Sequence, residues 1–153
     1  MIVTKEKFIP IRNKLKQEKQ TLVFTNGCFD IIHRGHIEYL NEAKKLGDFL
    51  LVAVNSDRSV KKIKGDNRPI NSQQDRAVVL DNLKPVDGVI IFDEETPYEL
   101  IKLFLPDVLV KGGDWKVEDI VGSDIVLSHG GRVISLSFLE NYSTTAIIKK
   151  ITG

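Results

Sequence analysis

The stretch Thr21-Leu22-Val23-Phe24-Thr25-Asn26-Gly27-Cys28-Phe29-Asp30-Ile31-Ile32-His33-Arg34-Gly35-His36 decides how the rest of the chain is read. Its apolar start, Thr21 to Phe24, reads as a short buried strand, and the run Ile37 to Leu46 beyond it reads as an amphipathic helix. On that helix His36, Tyr39, Leu40, Ala43 and Leu46 share one arc, while Glu38, Asn41, Glu42 and Lys45 point the other way. Gly47 is the expected C-terminal cap. A strand, a loop with two glycines and a helix start together make an anion site, because free backbone N–H groups and the positive helix end face the same space. Gly35 lets a ligand approach without meeting a Cβ, and the two imidazoles beside it can donate hydrogen bonds to phosphate oxygens.

Neither G-x-x-x-x-G-K-[ST] nor G-x-G-x-x-G follows this strand, which excludes a P-loop and a dinucleotide fingerprint. Zinc held by Cys28, His33 and His36 would lack a fourth ligand, since His129 is the only other histidine. No residue is assigned to a metal.

Working outward, 153 residues suffice for one well-buried α/β domain spanning 1–153, with residues 1–20 expected as an N-terminal helical extension. Hydrophobic content of 42% against 28% charged places the chain among globular proteins. A net charge of +1 offers no global attraction to nucleic acid or membrane, so neither is expected as a partner. One cysteine and a charged start, Lys5-Glu6-Lys7, point to a cytoplasmic protein.

Phe8, Ile11 and Leu15 predict a surface helix over Lys5 to Glu18. The continuous apolar run Phe49 to Val54 predicts a central parallel strand, and it ends in the polar triplet Asn55-Ser56-Asp57, at the edge where open α/β sheets bind ligands. Lys61 to Pro69 reads as a basic loop. Ser72 caps a helix to about Leu83, and Val89 to Phe92 forms a third strand. Thr96-Pro97-Tyr98-Glu99 reads as a capping box opening a helix to Leu105. Val108 to Val110 is a fourth strand that runs into Lys111-Gly112-Gly113-Asp114-Trp115, and Val133 to Leu136 is a fifth. Ser143 opens a last helix whose Ile147, Ile148 and Ile151 are expected to face inward. The alternation predicts a single Rossmann-like, doubly wound α/β domain with a five-stranded, mainly parallel sheet.

His33-x-Gly35-His36 after a strand resembles the nucleotidyltransferase superfamily with the H-x-G-H signature. Thr25 to His36, Lys64 to Pro69, Lys111 to Trp115 and Tyr142-Ser143-Thr144-Thr145 together resemble the heptose 1-phosphate adenylyltransferase family, which occurs as the C-terminal half of a bifunctional heptose kinase/adenylyltransferase or alone. The likeness covers about Thr21 to Ile151. It implies that a sugar phosphate attacks the α-phosphorus of ATP in line, with no covalent protein intermediate and with Mg²⁺ bridging the phosphates rather than sitting in a protein cage. The products are ADP-heptose, destined for surface glycan, and pyrophosphate.

By that resemblance His33, His36 and Lys111 are the catalytic set. Thr25, Asn26, Gly27, Phe29 and Gly35 shape the loop over the triphosphate, with Asp30 bracing it or forming only an Asx turn. Tyr142, Ser143, Thr144 and Thr145 serve the far phosphates, although Ser143 also reads as a plain cap. Lys111, Gly112, Asp114 and Trp115 line the nucleoside side, with Trp115 read equally as a core or interface aromatic. Asn55, Asp57, Lys61, Lys64, Arg68 and Arg76 fall to the acceptor, although Asp57 and Arg76 also read as a simple ion pair.

Many superfamily members carry an arginine where this chain has Ile148, so Lys111 or a lysine of residues 61–64 is expected to neutralise phosphate instead. A homodimer and a separate heptose kinase are the expected partners. A cytidylyltransferase acting on glycerol 3-phosphate or a similar polyol or amino-alcohol phosphate is the alternative enzyme. A non-catalytic nucleotide-sensing module is the alternative of another class, opposed by the presence of His33, His36 and Lys111 together.

Overall fold

The computed structural model describes residues Met1 to Gly153. In chain order the elements are β1 (Ile2–Val3), α1 (Lys5–Gln17), β2 (Leu22–Gly27), α2 (Arg34–Lys44), β3 (Phe49–Asn55), α3 (Asp57–Lys64) and α4 (Gln73–Asp81). Then follow β4 (Gly88–Phe92), α5 (Tyr98–Phe104), β5 (Val108–Gly112), a 3₁₀ turn (Val117–Asp119), α6 (Ser123–Ser128), β6 (Arg132–Leu136) and α7 (Thr144–Thr152).

All pairings are parallel and the order is β1-β4-β3-β2-β5-β6. The α/β, Rossmann-like expectation holds, but the sheet has six strands rather than five. The extra one is β1, whose Ile2 and Val3 pair with Val89 and Ile90. Two residues carry no periodic signal, so only this long-range pairing makes them a strand.

β2 is central. The chain lays β3 and β4 to one side of it, then returns to lay β5 and β6 on the other, which makes the β2–β5 boundary the switch point. Alternate residues of the central strands feed two cores. Leu22, Phe24 and Leu51 pack with Phe8 of α1, Leu100, Ile101 and Phe104 of α5 and Val126 of α6. Val23, Val52 and Val54 pack with Tyr39, Leu40 and Ala43 of α2 and Ala77 and Leu80 of α4. Each fully buried side chain of this kind is worth about 1.5–3 kcal/mol, so the two layers hold the strand ends in fixed positions.

Residues 1–17 are joined to this core rather than standing apart as an extension. Phe8 is fully buried, and the Arg12 guanidinium donates to Phe104 O at 2.9 Å and pairs with Asp107 at 3.0 Å. Pro10 lies inside α1 without ending it.

Three local expectations change. Gly47 is not the cap of α2, which ends at Lys44 with Lys45 as cap; a Cβ on Gly47 would sit 2.9 Å from Thr21 O, so close packing onto β2 explains the glycine. Lys61, Lys62 and Lys64 are not in a loop but in the last turn of α3, which Ser56 caps and Gly65 ends. Thr96 does not cap α5; Pro97 holds that position with no side-chain hydrogen bond.

Candidate active site

A cleft of about 670 Å³ opens at the C-terminal ends of β2, β3 and β5, over the switch point. That volume is in the range of small-ligand sites. Asn26 and Gly27 end β2 at its floor, and Phe29 turns the chain with φ of +48°, a left-handed conformation that non-glycine residues seldom adopt. The Phe29 ring packs over Gly27, where a Cβ would meet it at 2.9 Å, and lies 5.3 Å from the His36 ring.

His33 is the N-cap residue of α2, and its backbone N–H donates to His36 Nδ1 at 3.3 Å. Because Nδ1 accepts, the hydrogen-bond network assigns the His36 proton to Nε2, leaving that nitrogen as a donor. The two imidazoles lie 3.8 Å apart between centroids and 30° between planes. Burial, with His33 alongside, pushes His36 down to about 4, and burial lowers His33 as well. Both rings are therefore neutral donors at neutral pH. His33 Nδ1 is buried with no partner in the chain, a polar atom in want of a ligand. A Cβ on Gly35 would come within 2.9 Å of the His33 ring and 3.0 Å of Tyr142 Cβ, so the close approach requires glycine there.

Thr25 does not line the cleft. It is fully buried and shares a 2.5 Å hydrogen bond with Tyr39 of α2, a strut behind the histidines rather than part of the loop over phosphate. Burial raises the Tyr39 phenol well above its ordinary value, so it stays protonated.

Asp30 braces a distant loop. Its carboxylate accepts from Ile70 N and Asn71 N at 2.9 Å and from Arg68 Nε at 2.7 Å, with the side chain fully shielded from solvent. Burial alone would raise this carboxyl; the hydrogen bonds of Asn71, Ile70 and Arg68 outweigh it and hold the group below its ordinary value. Arg68 thus reaches the cleft already engaged.

Arg76 does not reach the cleft at all. It is 1% exposed and donates to Cys28 O at 2.7 Å, Asn55 O at 2.8 Å, Asn71 O at 3.1 Å and Asp57 Oδ1 at 2.9 Å. The Asp57–Arg76 pair is a clamp across the ends of β2 and β3. Lys61 is exposed and is not among the cleft's lining residues, while Asn55 and Lys64 line it.

At the end of β5, Lys111 lies 5.9 Å over the Trp115 ring, and burial, with Lys64 nearby, depresses its pKa. Trp115 is 48% exposed and donates from Nε1 to Gly112 O at 3.1 Å, so it is a cleft wall and not a core aromatic. A Cβ on Gly112 would collide with the Phe138 ring. Asp114 is exposed and outside the wall.

Tyr142, Ser143, Thr144 and Thr145 close the histidine end. Ser143 does cap α7, accepting from Ala146 N at 3.0 Å, and Thr144 Oγ1 donates to Ile31 O at 3.0 Å. The inward-facing expectation for α7 fails at Ile151, which is 76% exposed, and is met only in part at Ile147 and Ile148, which are half-buried. Cys28 lines the cleft with its thiol pushed up by burial, which makes it a poor nucleophile. Tyr39, Ile63, Glu95, Thr96, Asp119 and Phe138 also line the cleft without having been expected there. Only Thr96 carried a local signal, and that signal pointed to capping.

The cytidylyltransferase-like family model matches residues 24–150, which include every wall of this cleft. The chain belongs to that family. Among curated relatives, the bifunctional protein HldE of Wolinella succinogenes is 52% identical over 152 residues, covering 99% of this chain and 31% of that protein. HldE of Marinomonas sp. is 57% identical over 131 residues, covering 86% and 28%. This cytidylyltransferase-like chain therefore spans about a third of the length of the curated relatives it matches. Among solved structures, the lipopolysaccharide core biosynthesis protein from Thermoplasma volcanium is 31% identical with a TM-score of 0.63, covering 81% of this chain and 99% of that one. Pantoate-beta-alanine ligase from Francisella tularensis, solved in complex with beta-gamma ATP and beta-alanine, is 17% identical with a TM-score of 0.59, covering 99% and 77%; at that identity the likeness is one of fold.

Proposed function

We propose that this chain is a nucleotidyltransferase that moves AMP from ATP to D-glycero-D-manno-heptose 1-phosphate, giving ADP-heptose and pyrophosphate. The observation that carries the reading is the pair of neutral, closely spaced imidazoles at the N-terminus of α2, over the switch point of a parallel sheet. Relatives named as bifunctional HldE proteins, and a lipopolysaccharide core biosynthesis protein among the solved structures, support the heptose substrate.

In the reaction an acceptor phosphate oxygen bonds to the α-phosphorus while the bond from that phosphorus to the bridging oxygen breaks, and the electron pair leaves with pyrophosphate. His36 Nε2–H, the His33 ring and the α2 N-terminus donate to the oxygens on which charge grows, and Lys111 offsets charge from the β5 side. The chain contains no group of three or more His, Cys, Asp or Glu suited to a metal, and Asp30 is already engaged. Magnesium, if carried on the nucleotide phosphates, would supply charge neutralisation there.

No helix is long and apolar enough to cross a membrane. We infer action in the cytoplasm from the single cysteine and the proposed use of ATP. We infer a homodimer, supported by the exposed Ile151 and the half-buried Ile147 and Ile148 of α7. A separate heptose kinase is not favoured, because the relatives are bifunctional chains about three times as long.

The deciding experiment is a pyrophosphate-release screen of four nucleotides against sugar and polyol phosphates. ATP with the heptose phosphate is expected to dominate. CTP with glycerol 3-phosphate as the best pair would replace this reading with that of a cytidylyltransferase.

A further inference from the structure

The cleft straddles the sheet edge. Its histidine end lies over the face covered by α2 and α4, since Phe29 and Tyr39 belong to that core. It continues past Lys64 and Lys111 to the opposite face, where Ile120 belongs to the other core and Glu95, Thr96 and Asp119 line the wall. In an in-line displacement the leaving and attacking groups stand on opposite sides of the phosphorus. With pyrophosphate oxygens at the imidazoles, the acceptor enters from the lysine side.

Lys64 and Lys111 form no ion pair in the chain. Two unpaired ammonium groups side by side in a half-buried cleft fit a phosphate monoester between them. Beyond them Asp119 is likewise free of any cation, and Thr96 uses its hydroxyl in no cap. Glu95 is shared with Lys62 at 3.7 Å. One free carboxylate, one shared carboxylate and one hydroxyl in the same cleft as the two lysines make a wall of several hydrogen-bond acceptors, which suits a ligand that brings several hydroxyl donors. A carboxylate accepts from two hydroxyls at once, and a polar wall on an apolar floor such as Ile63 and Ile120 is the usual make-up of a specific small-molecule site.

We propose that Glu95, Thr96 and Asp119 are the acceptor's specificity wall, taking the hydroxyls of a polyhydroxylated phosphate monoester whose phosphate sits between Lys64 and Lys111. This rests on the transfer reaction proposed above.

The test is calorimetric binding by the full chain, which needs no turnover, run beside the pyrophosphate assay. The probes are the heptose 1-phosphate, phosphoethanolamine, inorganic phosphate and ATP; the variants are Asp119→Asn, Thr96→Val and Glu95→Gln, all at exposed positions, with folding checked by circular dichroism. Asp119→Asn is expected to weaken the heptose phosphate about tenfold, Thr96→Val and Glu95→Gln by less, with inorganic phosphate and ATP unchanged within about twofold. Equal weakening of heptose phosphate and inorganic phosphate, parallel loss of ATP, no effect of any variant, or tighter binding of phosphoethanolamine than of the heptose phosphate would each overturn the proposal. Heptose phosphate bound with this variant pattern but never turned over would support the wall and refute the reaction.

Discussion

Two helix starts meet at the histidine end of the cleft, and they are built to opposite standards. At α2 the capping residue, the loop before it and the strand behind it are all buried or hydrogen-bonded: Thr25 to Tyr39, Asp30 to Arg68, Ile70 and Asn71, Arg76 to Cys28 O and Asn55 O. At α7 the cap is equally well formed, yet Ile147 and Ile148 are only half-buried and the Thr144 hydrogen bond to Ile31 O is its main polar tie to the neighbouring loop. A cap fixes where a helix begins, but burial of its face fixes where the helix stays. The α2 side can therefore hold the positions of its two histidines by itself, while the α7 side is more easily displaced.

The largest effect should come from removing a donor at the rigid end. His36→Ala is expected to lower turnover by roughly two to three powers of ten while leaving the fold intact by circular dichroism, and His33→Ala to do the same. Near-normal turnover in both would erase the distinction between the two ends. Next is Asp30→Ala, which strands two backbone N–H groups and leaves Arg68 without its counter-charge. A stability loss of about 3 kcal/mol is expected by urea denaturation.

A smaller, pH-dependent effect separates the ends further. His36 is held at about 4 in the folded chain against an ordinary 6.5, so between these values the unfolded chain takes up a proton that the folded one refuses. Stability from this group is complete above 6.5 and falls away as pH drops toward 4. His36→Gln should flatten that part of the stability profile; an unchanged slope would place the titrating group elsewhere. Smallest of all is Ile151→Ser on α7, expected to change stability by no more than about 0.5 kcal/mol at low protein concentration. A loss of several kcal/mol would mean that this face is covered in solution.

What could be read from sequence follows the same division. The β2–α2 unit, β3 and the caps at Ser72 and Ser143 rest on local chemistry, and the structure bears them out. β1 could not be read, because two residues become a strand only through Val89 and Ile90. The basic run at 61–64 hid a helix because α3 buries only Ser59 and Val60, too little for a periodic pattern. Within the site, His33, His36, Lys64 and Lys111 were legible as cleft residues, whereas Arg76 pointed the same way by family position and proved to be an inner clamp. The isoleucines of α7 form the stripe that a packed helix needs, and a stripe does not say whether its cover comes from the same chain. Glu95 and Asp119 carried no signal, since only tertiary structure brings the segments after β4 and β5 to one wall.

The indole of Trp115, the chain's single tryptophan, stands half in solvent with an ammonium group over its face. Its emission is thus an optical gauge mounted inside the cleft, free of interference from any other indole. A ligand that draws Lys111 away, or covers the ring, changes the light before any bond is made. Rapid mixing with each substrate in turn would then time their arrivals separately and give their order of entry from the native chain, with no label attached.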